Sequence, residues 1–283
     1  MSRRMTLLLA TAAITAALAS VGCSTLDEKQ RGWIFQPGDR SWGGSAELAR
    51  DMEPVWIEFG SRVTGEPARL HGLWLPAGKN PEGAPVLLYL HGARWNVEGS
   101  APRIRRMQDL GFSVLAIDYR GFGKSTKALP SEDMAYEDAQ AAWDWLAQKY
   151  PGRQRYIFGH SLGGAIAIDL AARVDDEQGV MVENTFTSIA DVASTMRWGW
   201  LPIGPLITQR FESVDKVARI GSPLLVVHGT EDRVIASDLG RKLYEAATGR
   251  KHFVLVEGGS HFSTMSVGLA QYREAIGELF RLR

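Results

Sequence analysis

Tyr156-Ile157-Phe158-Gly159-His160-Ser161-Leu162-Gly163-Gly164-Ala165-Ile166-Ala167 is the stretch on which the reading of this chain turns. It opens as an apolar run of strand character and passes through Gly-x-Ser-x-Gly at Gly159–Gly163. It then continues into an alanine-rich run of helical character. In that setting the pentapeptide spells a sharp strand-to-helix turn. Glycines two positions either side of the serine let neighbouring backbone pass close by. The turn forces Ser161 into a strained backbone conformation and holds its hydroxyl above the sheet, at the positive end of the following helix. Ser161 is therefore a candidate nucleophile.

Outward from this turn, strand-like and helix-like segments alternate. Val55–Val63 and Arg69–Leu75 flank Thr64-Gly65-Glu66-Pro67 and predict a hairpin. Val86–Leu90, Ser113–Ile117, Tyr156–Phe158, Val180–Val182, Leu224–Val227 and Phe253–Val256 are short, continuous apolar runs. Such runs are expected of strands buried on both faces of a parallel sheet. Between them, Ile104–Leu110, Met134–Tyr150, Leu162–Val174, Asp238–Thr248 and Val267–Arg281 carry helical patterns. The alternation predicts a doubly wound α/β fold with a mostly parallel sheet of about eight strands and helices on both faces. Sites in such sheets lie at the carboxyl ends of the strands. His91-Gly92, Ser161, Asp232 and His261 each follow a strand-like run.

A serine hydroxyl becomes a useful nucleophile when a base takes its proton and a third group orients that base. Asp232 lies in His228-Gly229-Thr230-Glu231-Asp232, after one strand. His261 lies in Gly258-Gly259-Ser260-His261-Phe262, after the last. The order Ser161, Asp232, His261, taken with Leu90-His91-Gly92 and Asp118-Tyr119-Arg120-Gly121-Phe122-Gly123-Lys124-Ser125, resembles the α/β-hydrolase superfamily. The resemblance covers Val55–Arg283 and is closest to small single-domain esterase- or peptidase-like serine hydrolases. It implies an α/β-hydrolase fold with Ser161 as nucleophile, His261 as general base and Asp232 as its orienting acid. Family spacing from His228-Gly229 favours Asp232 over its neighbour Glu231. The resemblance also implies an oxyanion hole from the backbone N–H groups of Leu162 and Ala93. Around Ala93 the chain has Ala93-Arg94-Trp95-Asn96 where relatives often carry glycine or asparagine.

Two further segments bear on substrate. Ser188–Lys216 is rich in Trp, Leu, Ile and Pro without a clear helical period, which suggests a short cap over the site, the alternative being packing on the core. Arg94 is placed to bind a substrate carboxylate or phosphate, or to form a surface salt bridge. His91 and His228 are read as supporting turns, and His160 as pointing away from the nucleophile. Gly123-Lys124-Ser125 lacks the glycine that a phosphate-binding loop needs five positions earlier, where Asp118 stands. There is no His-Glu-x-x-His pair and no cysteine cluster, so neither a metal nor a cofactor is expected.

The 283 residues carry 32 basic and 32 acidic groups, with no basic excess to draw nucleic acid. At the N-terminus, Arg3-Arg4 precedes the uncharged run Met5–Ala19 and then Ser20-Val21-Gly22-Cys23, a secretory signal layout. Residues 1–22 are expected to be a signal peptide. The ending resembles a bacterial lipobox, although Ser20 stands where leucine is usual. Cys23, the sole cysteine, is the expected lipidation site of an exported, membrane-anchored protein. Residues 23–53 are expected to be a tether and surface segment, and 54–283 the hydrolase domain with its cap at about 188–216. The expected partners are a small ester or amide substrate and a membrane. Cleavage of carboxylic esters is the first expectation and peptidase action the second. A non-catalytic envelope binding protein of the same fold is the alternative of another class.

Overall fold

The structure is a computed structural model that describes residues 24–39, 43–196 and 199–282. The basic-apolar start, Cys23, Trp42 and Trp198 lie outside the described residues.

Eight strands form one sheet: β1 (Glu53–Gly60), β2 (Pro67–Leu75), β3 (Val86–Leu90), β4 (Ser113–Ile117), β5 (Arg155–His160), β6 (Gly179–Glu183), β7 (Leu224–Gly229) and β8 (Lys251–Val256). Their order is β1-β2-β4-β3-β5-β6-β7-β8. β2 is antiparallel to both neighbours, and every pairing from β4 to β8 is parallel. Every residue of β3, β4 and β6 is buried, as uninterrupted apolar runs require. Within β3, Leu88 and Leu90 join one core while Leu87 and Tyr89 join the other. Ten helices surround the sheet: α1 (24–35), α2 (Ser45–Ala49), α3 (Ala101–Asp109), α4 (Glu132–Lys149), α5 (Leu162–Ala171), α6 (Ile189–Ser194), α7 (Val214–Val217), α8 (Ser237–Ala246), α9 (Thr264–Val267) and α10 (Leu269–Phe280) among the described residues. Residues of α4, α5 and α8 fill the first core, and residues of α3 and α10 fill the second.

Local chemistry sets the element ends. Ser131 caps α4 by accepting from the Met134 N–H at 3.2 Å, and Glu132 and Asp133 complement the helix dipole in its first turn. Ala139, Ala142, Trp143 and Leu146 then form its buried stripe. The β1–β2 hairpin turns at Gly65, whose φ of 75° suits glycine. α5 is buried along its whole length, which its run of Gly, Ala and Ile side chains permits.

Two expectations change. Residues 24–35, read as part of a tether and surface segment, form a helix docked on the domain. Phe35 is fully buried beside Phe211, with ring centroids 5.7 Å apart, and the Arg31 guanidinium donates to the carbonyls of Leu129 and Pro130. A stripe of Asp27, Arg31 and Phe35, four residues apart, faces the domain and supplies the contacts that composition alone concealed. The expected cap also lies differently. α6 reaches the site, but Met196, Trp200, Leu201, Ile203 and Leu206 expose their side chains instead of closing over it. The segment is pinned to the flank by Gln30, which donates to the Leu206 carbonyl, and by Gln209, which donates to Asp27.

Candidate active site

Gly159 and Gly163 are required by close backbone approach. A Cβ on Gly159 would meet the Gly163 carbonyl oxygen at 2.2 Å, and one on Gly163 would meet that of Leu90 at 2.1 Å. Between them Ser161 adopts φ 56° and ψ −123°, a conformation that costs a non-glycine residue of order 1–3 kcal/mol. The strain persists because its backbone is held on both sides. The Ser161 N–H donates to the Glu183 carbonyl at 2.9 Å, and Thr185 Oγ1 donates to the Ser161 carbonyl at 2.8 Å.

The structure brings Ser161, Asp232 and His261 together. His261 Nε2 lies 3.0 Å from Ser161 Oγ, and its Nδ1 lies 2.7 Å from Asp232 Oδ2. Asp232 Oδ1 accepts the Val234 and Ile235 N–H groups at 2.8 and 2.9 Å. Burial alone would raise the Asp232 pKa. Hydrogen bonds with His228 and His261 and from the Ile235 N–H outweigh it and hold the carboxyl well below the usual carboxylate range. An ionised Asp232 fixes His261 with Nδ1–H toward the acid and Nε2 free to accept the serine proton. Glu231, the rival acid, projects elsewhere and is exposed.

Leu162 and Ala93 both line the cavity at Ser161. Among the described residues no hydrogen bond engages either backbone N–H. Leu162 opens α5, where unsatisfied amides are expected. The loop carrying Ala93 is unusual, since Arg94 and Trp95 have φ of 69° and 55°. It is tied to the N-terminal helix, because the Arg94 N–H donates to the Phe35 carbonyl at 3.0 Å. Among the described residues Arg94 makes no carboxylate pair, and its Nε donates to Gln36 Oε1 at 2.6 Å.

Sequence reasoning passed over the groups behind the histidine. Glu183 ends β6 and Asn184 follows it. Arg103 Nε donates to Glu183 Oε1 at 3.0 Å, and its Nη2 donates to the carbonyls of His261 and Phe262 at 3.3 and 3.2 Å. Tyr272 closes the far side with a hydrogen bond to Glu183. Asn184 Nδ2 donates to the His261 carbonyl at 3.2 Å and accepts the Gly229 N–H through Oδ1 at 3.0 Å. His160 points away from Ser161 Oγ as expected, and its Nε2 lies 2.9 Å from the His261 carbonyl. Burial, followed by the Arg103 charge, lowers the His160 pKa well below that of a free histidine, so the ring is neutral. The sequence did contain a signal: Glu183-Asn184 interrupts a buried apolar strand at its carboxyl end, where sites form.

The cavity at Ser161 holds about 710 Å³. Ile34, Phe186, Ile189, Val192 and Val234 supply apolar wall, and Arg94, Arg103 and Arg106 supply charge. Among the described residues no Asp or Glu lines it. A wider cleft of about 850 Å³ between β1 and α4 is far from this chemistry and contains none of these three residues. Among the described residues no cluster of His, Cys, Asp and Glu could hold a metal ion.

A mostly parallel eight-stranded sheet with an antiparallel second strand, and a Gly-x-Ser-x-Gly turn after the fifth, defines a class of fold. The chain belongs to the α/β-hydrolase superfamily. Residues 81–213 match the family described as serine aminopeptidase, S33. An uncharacterised protein of Mycobacterium tuberculosis, Rv2307c, is 31% identical over 252 residues, covering 88% of this chain and 86% of that protein. Lysophosphatidylserine lipase ABHD12 of Danio rerio is 32% identical over 186 residues, 59% of this chain and 48% of the lipase, so the match spans about half of that relative. In fold, the chain is similar to the Pyrococcus furiosus esterase Pf2001, with a TM-score of 0.67 and 19% identity, over 87% of this chain and 98% of that one.

Proposed function

We propose that this hydrolase cleaves carboxylic esters through an acyl-enzyme formed on Ser161. The observation that carries the reading is the unbroken hydrogen-bonded line from Ser161 Oγ through His261 to Asp232, with Ser161 and His261 lining a cavity that has an apolar wall. His261 Nε2 takes the Ser161 proton as Oγ attacks the carbonyl carbon. The tetrahedral oxyanion is stabilised by the N–H groups of Leu162 and Ala93, donors of a kind worth about 3 kcal/mol each. His261 then gives its proton to the leaving alcohol, and water repeats the sequence to release the acid.

The lining of the cavity bears on substrate. Its apolar wall suits an acyl chain, and Arg94 and Arg106 suit an anionic group on the alcohol side. An anionic acyl ester of this kind agrees in character with the substrate in the name of the Danio rerio relative. The S33 description favours a second reading, an aminopeptidase. Such an enzyme must hold a substrate ammonium, and a cavity whose described lining holds Arg94 and Arg106 and no carboxylate is poorly suited to that. Export and lipidation at Cys23 belong to the same proposal, resting on Arg3-Arg4, the run Met5–Ala19 and the sole cysteine.

A fluorophosphonate probe tests the chemistry. Wild type is expected to label and Ser161→Ala not to, whereas equal labelling of both would remove Ser161 from the mechanism. Nitrophenyl esters of graded acyl length, run beside aminoacyl amides, then decide between the readings; faster turnover of the amides would favour the peptidase. Membrane fractionation of a Cys23→Ser variant tests lipidation, which an unchanged distribution would exclude.

A further inference from the structure

The apolar side chains that fail to cap the site form a surface of their own. Trp33 is 83% exposed and Trp200 74%, with Met196, Leu201, Ile203 and Leu206 also exposed. They belong to one region of the fold. Gln30 Nε2 donates to the Leu206 carbonyl at 2.7 Å, and Gln30 Oε1 accepts the Thr208 N–H at 2.9 Å. Trp33 stands three residues on from Gln30 and so flanks it on the same helix face. Met196 to Leu206 is joined internally by the bonds Gly199 N–H to Met196, Ile203 N–H to Leu201 and Leu206 N–H to Ile203. Exposed apolar residues scattered singly need no explanation, but six on two segments that Gln30 ties together, two of them tryptophans, mark a contact surface.

We infer that this surface, made by α1, Met196 and residues 199–206, lays the hydrolase on a lipid bilayer, so that an acyl ester passes from the membrane into the cavity at Ser161. Three observations favour lipid over other occupants. The first is continuity with the cavity: Ile34 of α1 and Ile189 and Val192 of α6 line it, and the same helix and the chain just beyond α6 carry the exposed cluster. An acyl chain leaving a bilayer here meets apolar surface up to the cavity. The second is charge. From Met196 to Thr208 the chain has no Asp, Glu or Lys, and its one charged residue is Arg197. Tryptophan with apolar residues and little charge is the composition favoured at the headgroup boundary. The third is chain connectivity. Cys23, the proposed lipidation site, directly precedes Ser24, where α1 begins. Trp33 lies about 13 Å further along α1. A membrane that holds a lipid on Cys23 therefore lies within reach of the cluster. Among the described residues no helix is long and apolar enough to cross a membrane.

The substrate route rests on the ester-hydrolase reading, whereas the contact itself does not. Full-length protein is added to phosphatidylcholine vesicles containing dibrominated acyl chains, which quench indole fluorescence on contact. Wild type is expected to lose at least a quarter of its fluorescence, and Trp33→Phe/Trp200→Phe to lose most of that response. Absence of quenching, or undiminished quenching in the double variant, would overturn the lipid contact whether or not the protein hydrolyses esters. In the second arm, Trp33→Asp/Trp200→Asp/Leu206→Asp is expected to cut turnover of a nitrophenyl ester embedded in vesicles at least tenfold. Turnover of soluble nitrophenyl butyrate should stay within twofold. Equal rates for wild type and variant on the vesicle substrate would overturn the route. No turnover of either ester by wild type would sink the hydrolase reading and the route with it, leaving the quenching result standing. Sedimentation that shows a wild-type dimer, dissociated by the same aspartates, would assign the surface to a second copy and overturn the proposal.

Discussion

On the proposed mechanism Ser161, Asp232 and His261 divide the chemistry at the scale of single residues, and their substitutions should differ in kind. Ser161→Ala removes the attacking atom and is expected to abolish ester turnover. Asp232→Asn keeps the shape but cannot hold the imidazole in the same tautomer; a loss in kcat of about 10⁴-fold is expected, with little change in KM. Steady-state kinetics on a nitrophenyl ester check both, and a KM effect larger than the kcat effect would argue against Asp232 as the orienting acid. Glu183 is a different case. It is fully buried opposite Arg103, so Glu183→Gln strands a guanidinium and should cost about 3 kcal/mol in urea unfolding. Since Arg103 also holds the carbonyls of His261 and Phe262, kcat should fall more than KM. A purely structural pair would leave kcat of the folded fraction unchanged.

At the scale of elements, the N-terminal helix connects stability to the site. Phe35 fills the first core, and its carbonyl accepts from the Arg94 N–H in the loop that carries Ala93. Phe35→Ala should destabilise the protein by about 3 kcal/mol and lower kcat as that loop loosens. Phe35→Leu should recover most of both. Calorimetry beside ester kinetics makes the comparison, and an alanine variant with full stability would mean that α1 is detachable. The end of β6 connects other parts in a similar way. Glu183, Asn184 and Thr185 reach the nucleophile turn and the histidine loop from one strand end.

Buried histidines tie the stability of the whole molecule to pH. Burial lowers the pKa of both His91 and His160 below 6.5. Between the unfolded value and the lower folded one, the unfolded chain binds more protons, so unfolding free energy rises with pH. That stability is fully present above about pH 6.5 and is lost as pH falls below it. The depressed Asp232 adds a second, more acidic window below its ordinary value of 3.8. Melting temperature should therefore fall from pH 7 to pH 5, and His91→Asn/His160→Gln should flatten the slope. An equal slope in the double variant would place the acid sensitivity elsewhere.

How much of this was legible in the chain follows from the range of the forces involved. The strand runs, the turn at Gly159–Gly163 and the positions of Ser161, Asp232 and His261 could be read in advance. Each depends on local pattern: side chains buried on both strand faces, and glycines where no Cβ fits. The docking of α1, the outward turn of the apolar residues after α6 and the Arg103–Glu183 pair depend on partners far away in sequence. Arg103 and Glu183 stand 80 residues apart, and Gln30 and Leu206 stand 176 apart. No periodicity records such pairs. The sequence by itself determined the fold class and the candidate nucleophile, base and acid. Only the tertiary structure decided what steadies the histidine, what lines the cavity and which apolar surface meets solvent, because those are settled by which distant segments exclude water together.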